Sequence, residues 1–189
     1  MTTTAPIHLH PDYAVGTWKL DPAHSEVSFT VKHLMISKVR GTFETFDVTI
    51  VTAENPDDSS IEATIDVASV NTGVEARDNH LRSSDFFLID EHPTMTFVST
   101  SFDGDVDSGE FTVRGDLTLR GVTKPVVLKG EFGGVIQDAY GNTRAGASAS
   151  TKINRHDFGV SWNSALEAGG VTLGDDVTIN LDLEVVLQP

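Results

Sequence analysis

TGVEARDNHLRSS, residues 72 to 84, is short, dense in charge and helix-like, and it stands alone in a chain that otherwise alternates apolar and polar residues at period two. Thr72 and Glu75 have the spacing of a capping box, in which a hydroxyl and a carboxylate satisfy the orphan amides of the first turn, so a single helix is expected here. Antiparallel strands need no helical crossover between neighbours. A lone helix is therefore expected to cover an open end of the sheet structure, and a cover implies an interior.

Outward from this segment the alternation repeats. Val27, Phe29 and Val31 share one face, as do Val39, Gly41 and Phe43, and then Ile61, Ala63, Ile65 and Val67. After the helix the pattern returns as Met95 and Phe97, then Phe111, Val113, Gly115, Leu117 and Leu119, and finally Val177 through Leu187 at every second position. The residues between them, such as Arg114 and Asp116, are polar and are expected to face water. The apolar phase slips by one residue between Phe43 and Phe46, which a β-bulge at Glu44 and Thr45 explains. Turn-rich stretches at 54–60, 103–110, 121–125 and 138–143 are of hairpin length, so about eight or nine antiparallel strands are expected in a barrel or sandwich.

One strand differs from the rest. In TRAGASASTKI (143 to 153) the odd positions are Ala145, Ala147, Ala149, Thr151 and Ile153, where its neighbours place Phe, Leu, Ile and Val. Eight strands enclose a lumen that is either filled by side chains or just wide enough for one small ligand. Small residues along one wall favour a ligand; aromatic side chains from the opposite wall filling the space are the alternative.

The chain has 189 residues, with 28 Asp and Glu against 13 Lys and Arg, for a formal charge of −15. One all-β domain over residues 13–189 suits that length, with residues 1–12 as a mobile tail. The acidic excess repels nucleic acid and anionic lipid at long range, so neither nucleic-acid binding nor peripheral membrane binding is expected. With no cysteine there is no disulfide framework, thiolate metal site or cysteine nucleophile. No basic leader and no run of about 20 apolar residues is present, so a cytoplasmic protein without stable membrane insertion is expected. The final strand, 176 to 188, offers an edge for a homodimer, opposed by Asp182 and Glu184.

The motifs LDPAHSEVSFTVKH (20 to 33), GTFETF (41 to 46), ATIDVASVNTGVEARDNHLRSSDFF (63 to 87), HPTMTF (92 to 97), GDLTLRGVTKPVVL (115 to 128) and INRHDFGVSW (153 to 162) resemble, in order, those of the YceI-like, polyisoprenoid-binding, lipocalin-like family. The resemblance implies an all-β fold: an extended antiparallel eight-stranded lipocalin-like barrel with one short helical cover. It also implies a long isoprenoid, such as a polyprenyl phosphate or quinone tail, held in the lumen, with no other cofactor. Another amphiphile, such as a fatty acid or fatty amide, is the alternative ligand, and an enzyme of isoprenoid metabolism the more distant reading.

On that basis the lumen is expected to be lined by Val27, Phe29, Val31, Phe43, Phe97, Leu117, Ala145, Ala147, Ala149 and Ile153. Arg77, His80 and Arg82 on the helix, with Arg155 and His156 in the INRHDFG turn, are the cations available for a charged headgroup. The competing roles are structural: an Asp78–Arg82 pair one turn apart, and an Arg155–Asp157 turn lock. No metal site is expected, because the close pair His8 and His10 lacks a carboxylate at ligand spacing. Nor is catalysis, since no nucleophile elbow or glycine-rich phosphate loop occurs.

Overall fold

The computed structural model describes residues 12–105, 107–165, 167 and 170–189. The tail expected over residues 1 to 12, Asp12 apart, and with it His8 and His10, lies outside the described residues. Strands β1 (Gly16–Leu20), β2 (Glu26–His33), β3 (Ser37–Phe43), β4 (Phe46–Thr52), β5 (Ser60–Asp66) and the two-residue β6 (Val70–Asn71) precede helix α1 (Glu75–Arg82). Then follow β7 (Thr94–Gly104), β8 (Glu110–Leu119), β9 (Val122–Gln137), β10 (Thr143–Asn154) and β11 (Leu173–Leu187).

The order β1-β4-β5-β7-β8-β9-β10-β11 returns on itself, with Trp18 opposite Leu187 and Leu20 opposite Val185, which closes an eight-stranded antiparallel barrel. The remaining short strands lengthen three of its staves. β2 continues β1 and pairs with β11 from Val31↔Val177 to Val27↔Leu181; β3 continues β4; β6 continues β5. Each of these staves is interrupted, at 21–25, 44–45 and 67–69. The bulge expected at Glu44 and Thr45 is thus a full break, whose amides donate to the Ser69 carbonyl (3.2 Å) and hydroxyl (3.0 Å). β11 is paired on both sides, by β10 and by β2 followed by β1, so the edge proposed for a homodimer is already occupied.

The period-two reading places the interior. On β8, Val113, Leu117 and Leu119 are buried while Arg114 and Asp116 are exposed. Gly115 and Gly41, which interrupt apolar faces, are slots: a Cβ at Gly115 meets the Phe97 ring, and one at Gly41 meets the Phe29 ring. Phe29, Phe43 and Phe87 then follow each other at ring separations of 5.6 and 5.9 Å. These rings join Val27, Ile65, Met95, Phe97, Leu117, Ile153 and Phe158 in one contiguous core. At about 1.5–3 kcal/mol for each fully buried large apolar side chain, this cluster is the main source of stability.

Helix α1 lies at the barrel end that also carries the β2–β3, β8–β9 and β10–β11 connections. Leu81, Phe87 and Ile89 from the helix and the segment after it pack onto the core. The capping box does not form: the helix starts after Val74 with no side-chain cap. Instead the Thr72 hydroxyl and amide donate to Asp78 Oδ1 (2.6 and 2.9 Å), a buried carboxylate inside the helix. Thr72 therefore ties the helix to β6 at its middle rather than at its first turn.

Candidate functional site

The interior is not uniform. Val27, Phe29, Phe43, Phe97, Leu117 and Ile153 are buried in the contiguous core and fill the part of the barrel under the helix. Val31, Ala145, Ala147 and Ala149 remain only half-buried, although they too are on the inner face. The alternation on β10 holds as expected, with Ser148, Ser150 and Lys152 exposed. Across the ladders Ala147 is opposite Phe132 and Leu183, and Ala149 is opposite Gly130 and Leu181. Phe132, Leu181 and Leu183 are also half-buried. Ala149 and Leu181 pack against the core cluster, and Ala145 and Ala147 continue the same inner face beyond them with small side chains. The side-chain-filled alternative raised by the sequence is realised under the helix, where the aromatic and aliphatic cluster occupies the interior.

The expected cations gather at the helical end, as α1 and the INRHDFG turn do meet there. The His80 ring stands edge-on to Phe86 and to Trp162, with centroids at 5.0 and 4.8 Å. Arg120, in the β8–β9 turn, donates from Nη1 to the carbonyls of Phe86 and Gly159, both at 3.0 Å, which binds the two segments together. Neither Phe86, Trp162 nor Arg120 stands out in the sequence for this role; their only signal is membership of the family motifs.

The guanidinium groups bond mainly to the chain itself, while Arg155 Nη2 is buried with no hydrogen-bond partner among the described residues. Arg77 donates to the Thr72 hydroxyl and carbonyl (2.7 and 2.9 Å), and Arg82 to the carbonyls of Ala68 and Val70 (2.8 and 2.9 Å). Arg82 Nη1 reaches Asn79, and Asp78 is taken by Thr72, so neither feeds the expected Asp78–Arg82 pair. Arg155 is 4 % exposed and donates to the carbonyls of Gly174 (2.9 Å), Val160 (2.9 Å) and Trp162 (2.7 Å). It organises the turn through these carbonyls rather than through Asp157. Burial pulls its guanidinium below the ordinary arginine range, opposed by the Asp175 carboxylate 3.9 Å away. His80 and His156 are partnered by Asp85 (2.7 Å) and Asp175 (2.8 Å). Beside the helix, an open groove of about 300 Å³ is lined by Glu44, Glu75, Asp78 and Arg82, three carboxylates to one cation, which disfavours an anionic ligand.

A second polar cluster lies on the outer face. Arg144 donates to Asp21 (2.5 Å), Asp138 (2.7 Å) and Glu184 (2.7 Å), joining the β1–β2 break, the β9–β10 turn and β11. Asp21, His24 and Glu184 are close enough to hold a metal ion, but the Arg144 guanidinium already bonds both carboxylates. The cation of this cluster is therefore an arginine.

A closed eight-stranded barrel with an apolar inner face and a helical cover defines the lipocalin-like class. The chain belongs to the YceI-like domain family, whose pattern it matches over residues 18–185. It is 43 % identical over 167 residues to a UPF0312 protein of Staphylococcus aureus strain MSSA476, covering 87 % of this chain and 94 % of the relative, and 42 % identical over the same length to one from strain N315. Among solved structures it resembles the Campylobacter jejuni YCEI protein, with a TM-score of 0.70 at 35 % identity over 90 % of this chain and 97 % of that one. A polyisoprenoid binding domain from Saccharophagus degradans shares the fold, with a TM-score of 0.68 at 17 % identity over 93 % of this chain and 100 % of that one.

Proposed function

We propose that this protein binds the tail of a long-chain isoprenoid in its barrel and carries it without chemical change. The observation that supports this reading most is the half-buried run of small side chains on the inner face of β10, opposite Phe132, Leu181 and Leu183 in a closed barrel. The shared fold with a polyisoprenoid binding domain favours an isoprenoid over other tails. At about 0.8 kcal/mol per buried CH₂, one five-carbon unit contributes at most about 4 kcal/mol. Association and ordering oppose binding by about 4–15 kcal/mol, so four or five buried units suffice for useful affinity. A fatty acid or fatty amide is the second reading, since apolar space selects length and girth more than chemistry.

Titration of the delipidated protein with polyprenols of increasing length tests the proposal. Affinity should tighten with each unit and then level off, and the recovered lipid should have unchanged mass. Affinity indifferent to chain length would sink the isoprenoid reading; tight binding of saturated acyl chains alone would replace it with the second.

A further inference from the structure

We propose that the tip of the β2–β3 hairpin is a docking surface for an anionic lipid bilayer. This goes beyond the carrier reading and stands whether or not the lumen holds an isoprenoid. Leu34, Met35 and Ile36 connect the last ladder pair, His33↔Ser37. Leu34 and Met35 have φ of 51° and 59°, the left-handed region that asparagine and glycine adopt readily in tight hairpins and bulky side chains rarely do. The Leu34 amide is pinned to the Thr172 carbonyl at 2.8 Å. Met35 and Ile36 are 55 % and 86 % exposed. A strained turn thus holds two large apolar side chains in water, and both the strain and the exposure work against folding. Such strain points to a use outside the fold.

The charge around the tip is as unusual. The chain has 28 acidic residues, yet residues 27–43 contain none, while Lys32, Lys38 and Arg40 are all exposed there. Lys32 and Lys38 are directly opposite each other across the ladder, a like-charge pairing that destabilises a sheet. Among the described residues no ion pair engages any of the three. The neighbouring carboxylates of Asp175 and Asp176 are taken by His156 (2.8 Å) and Lys152 (2.6 Å). The overall charge of −15 implied repulsion from anionic lipid, but at physiological salt charges act over only about 8 Å, so the hairpin's own cations decide what it meets.

An apolar tip with cations set behind it matches the layering of a bilayer surface, where apolar side chains enter the acyl boundary and lysines meet phosphates. A protein partner is the poorer fit, because a stable interface needs about 800 Å² from each side and this tip offers two side chains. Docked in this way, the barrel presents its helical end to the headgroups.

Flotation with phosphatidylcholine vesicles, with and without phosphatidylglycerol, tests the docking. The wild-type protein should float only with the phosphatidylglycerol vesicles. Each lost cation should weaken that binding about fivefold, and the reversed charges of a Lys32→Glu/Lys38→Glu variant more than that. Met35→Gly/Ile36→Ser should also release the protein while melting at or above the wild-type temperature, since glycine relieves the strained φ. Polyprenol uptake, measured in the same variants without vesicles, should be unchanged, so failure of docking and failure of the carrier reading separate cleanly. Wild-type protein that stays unbound with both vesicle types, or variants that float as it does, would overturn the proposal; the first outcome leaves an acidic protein surface as the hairpin's counterpart.

Discussion

At the scale of single residues, position 147 decides what the barrel contains. Ala147 is on the inner face between Phe132 and Leu183, whereas Ser148 points to solvent. Ala147→Phe should occupy the space beside β10 and abolish polyprenol uptake with a melting temperature near wild type; in a filled interior it would instead overpack and destabilise by about 1–3 kcal/mol. Ser148→Phe should leave uptake intact. The arginines separate in another way. Arg155→Met strips the donor from three carbonyls and should destabilise by about 2–4 kcal/mol, while Arg77→Met, whose partners all belong to Thr72, should lose about 1 kcal/mol. Neither change should alter the ratio of polyprenol to polyprenyl phosphate affinity; a selective loss for the phosphate would return these cations to headgroup binding. Sequence reading singled out these side chains but not their partners, because a guanidinium that serves distant carbonyls looks the same in sequence as one that serves a ligand.

Among elements, the strands were legible and their interruptions were not. Alternation along β2, β8, β10 and β11 reports which face meets the core, because the pleat sends successive side chains to opposite sides. The breaks at 44–45 and 67–69 depend on hydrogen bonds between segments far apart in sequence, such as Thr45 to Ser69, and no local pattern encodes them. Thr72 likewise fits a capping box by spacing alone, yet it bonds Asp78, and the choice is made by where β6 delivers it. The Arg144 cluster is the long-range tie most open to experiment. Arg144's hydrogen bond, with a smaller contribution from His24, holds the Asp21 carboxyl down at about 2, below its ordinary 3.8, and Arg144 and Asn142 hold Asp138 well below the carboxylate range. Carboxyls depressed in the folded state contribute stability that is fully present above pH 4 and is lost as pH falls through their folded values. Wild type should therefore melt above Arg144→Met at neutral pH, and the gap should narrow as pH falls below 4 but persist in part at pH 2, because Asp138 is held lower than Asp21. A gap that is constant with pH would mean that Arg144 stabilises through packing instead.

For the molecule as a whole, the carrier role proposed above sets two requirements in competition, a packed core for stability and apolar space for cargo. The aromatic cluster under α1 meets the first, and the small side chains of β10 are where the proposal seeks the second. The pairing of Trp18 with Leu187 has a further consequence, in time rather than in space. The wall cannot be sealed until the last strand exists, and synthesis at about 5–20 residues per second leaves β1 waiting roughly ten to thirty seconds for its partner. During that interval the inner face is a sheet with an open seam, and on the carrier proposal an isoprenoid is laid against it sideways instead of threaded in from an end. Protein refolded from denaturant with polyprenol present should therefore be loaded at the rate of folding, faster than polyprenol enters the sealed barrel. Newly made protein would then be the most receptive form, and loading would follow the rate of synthesis.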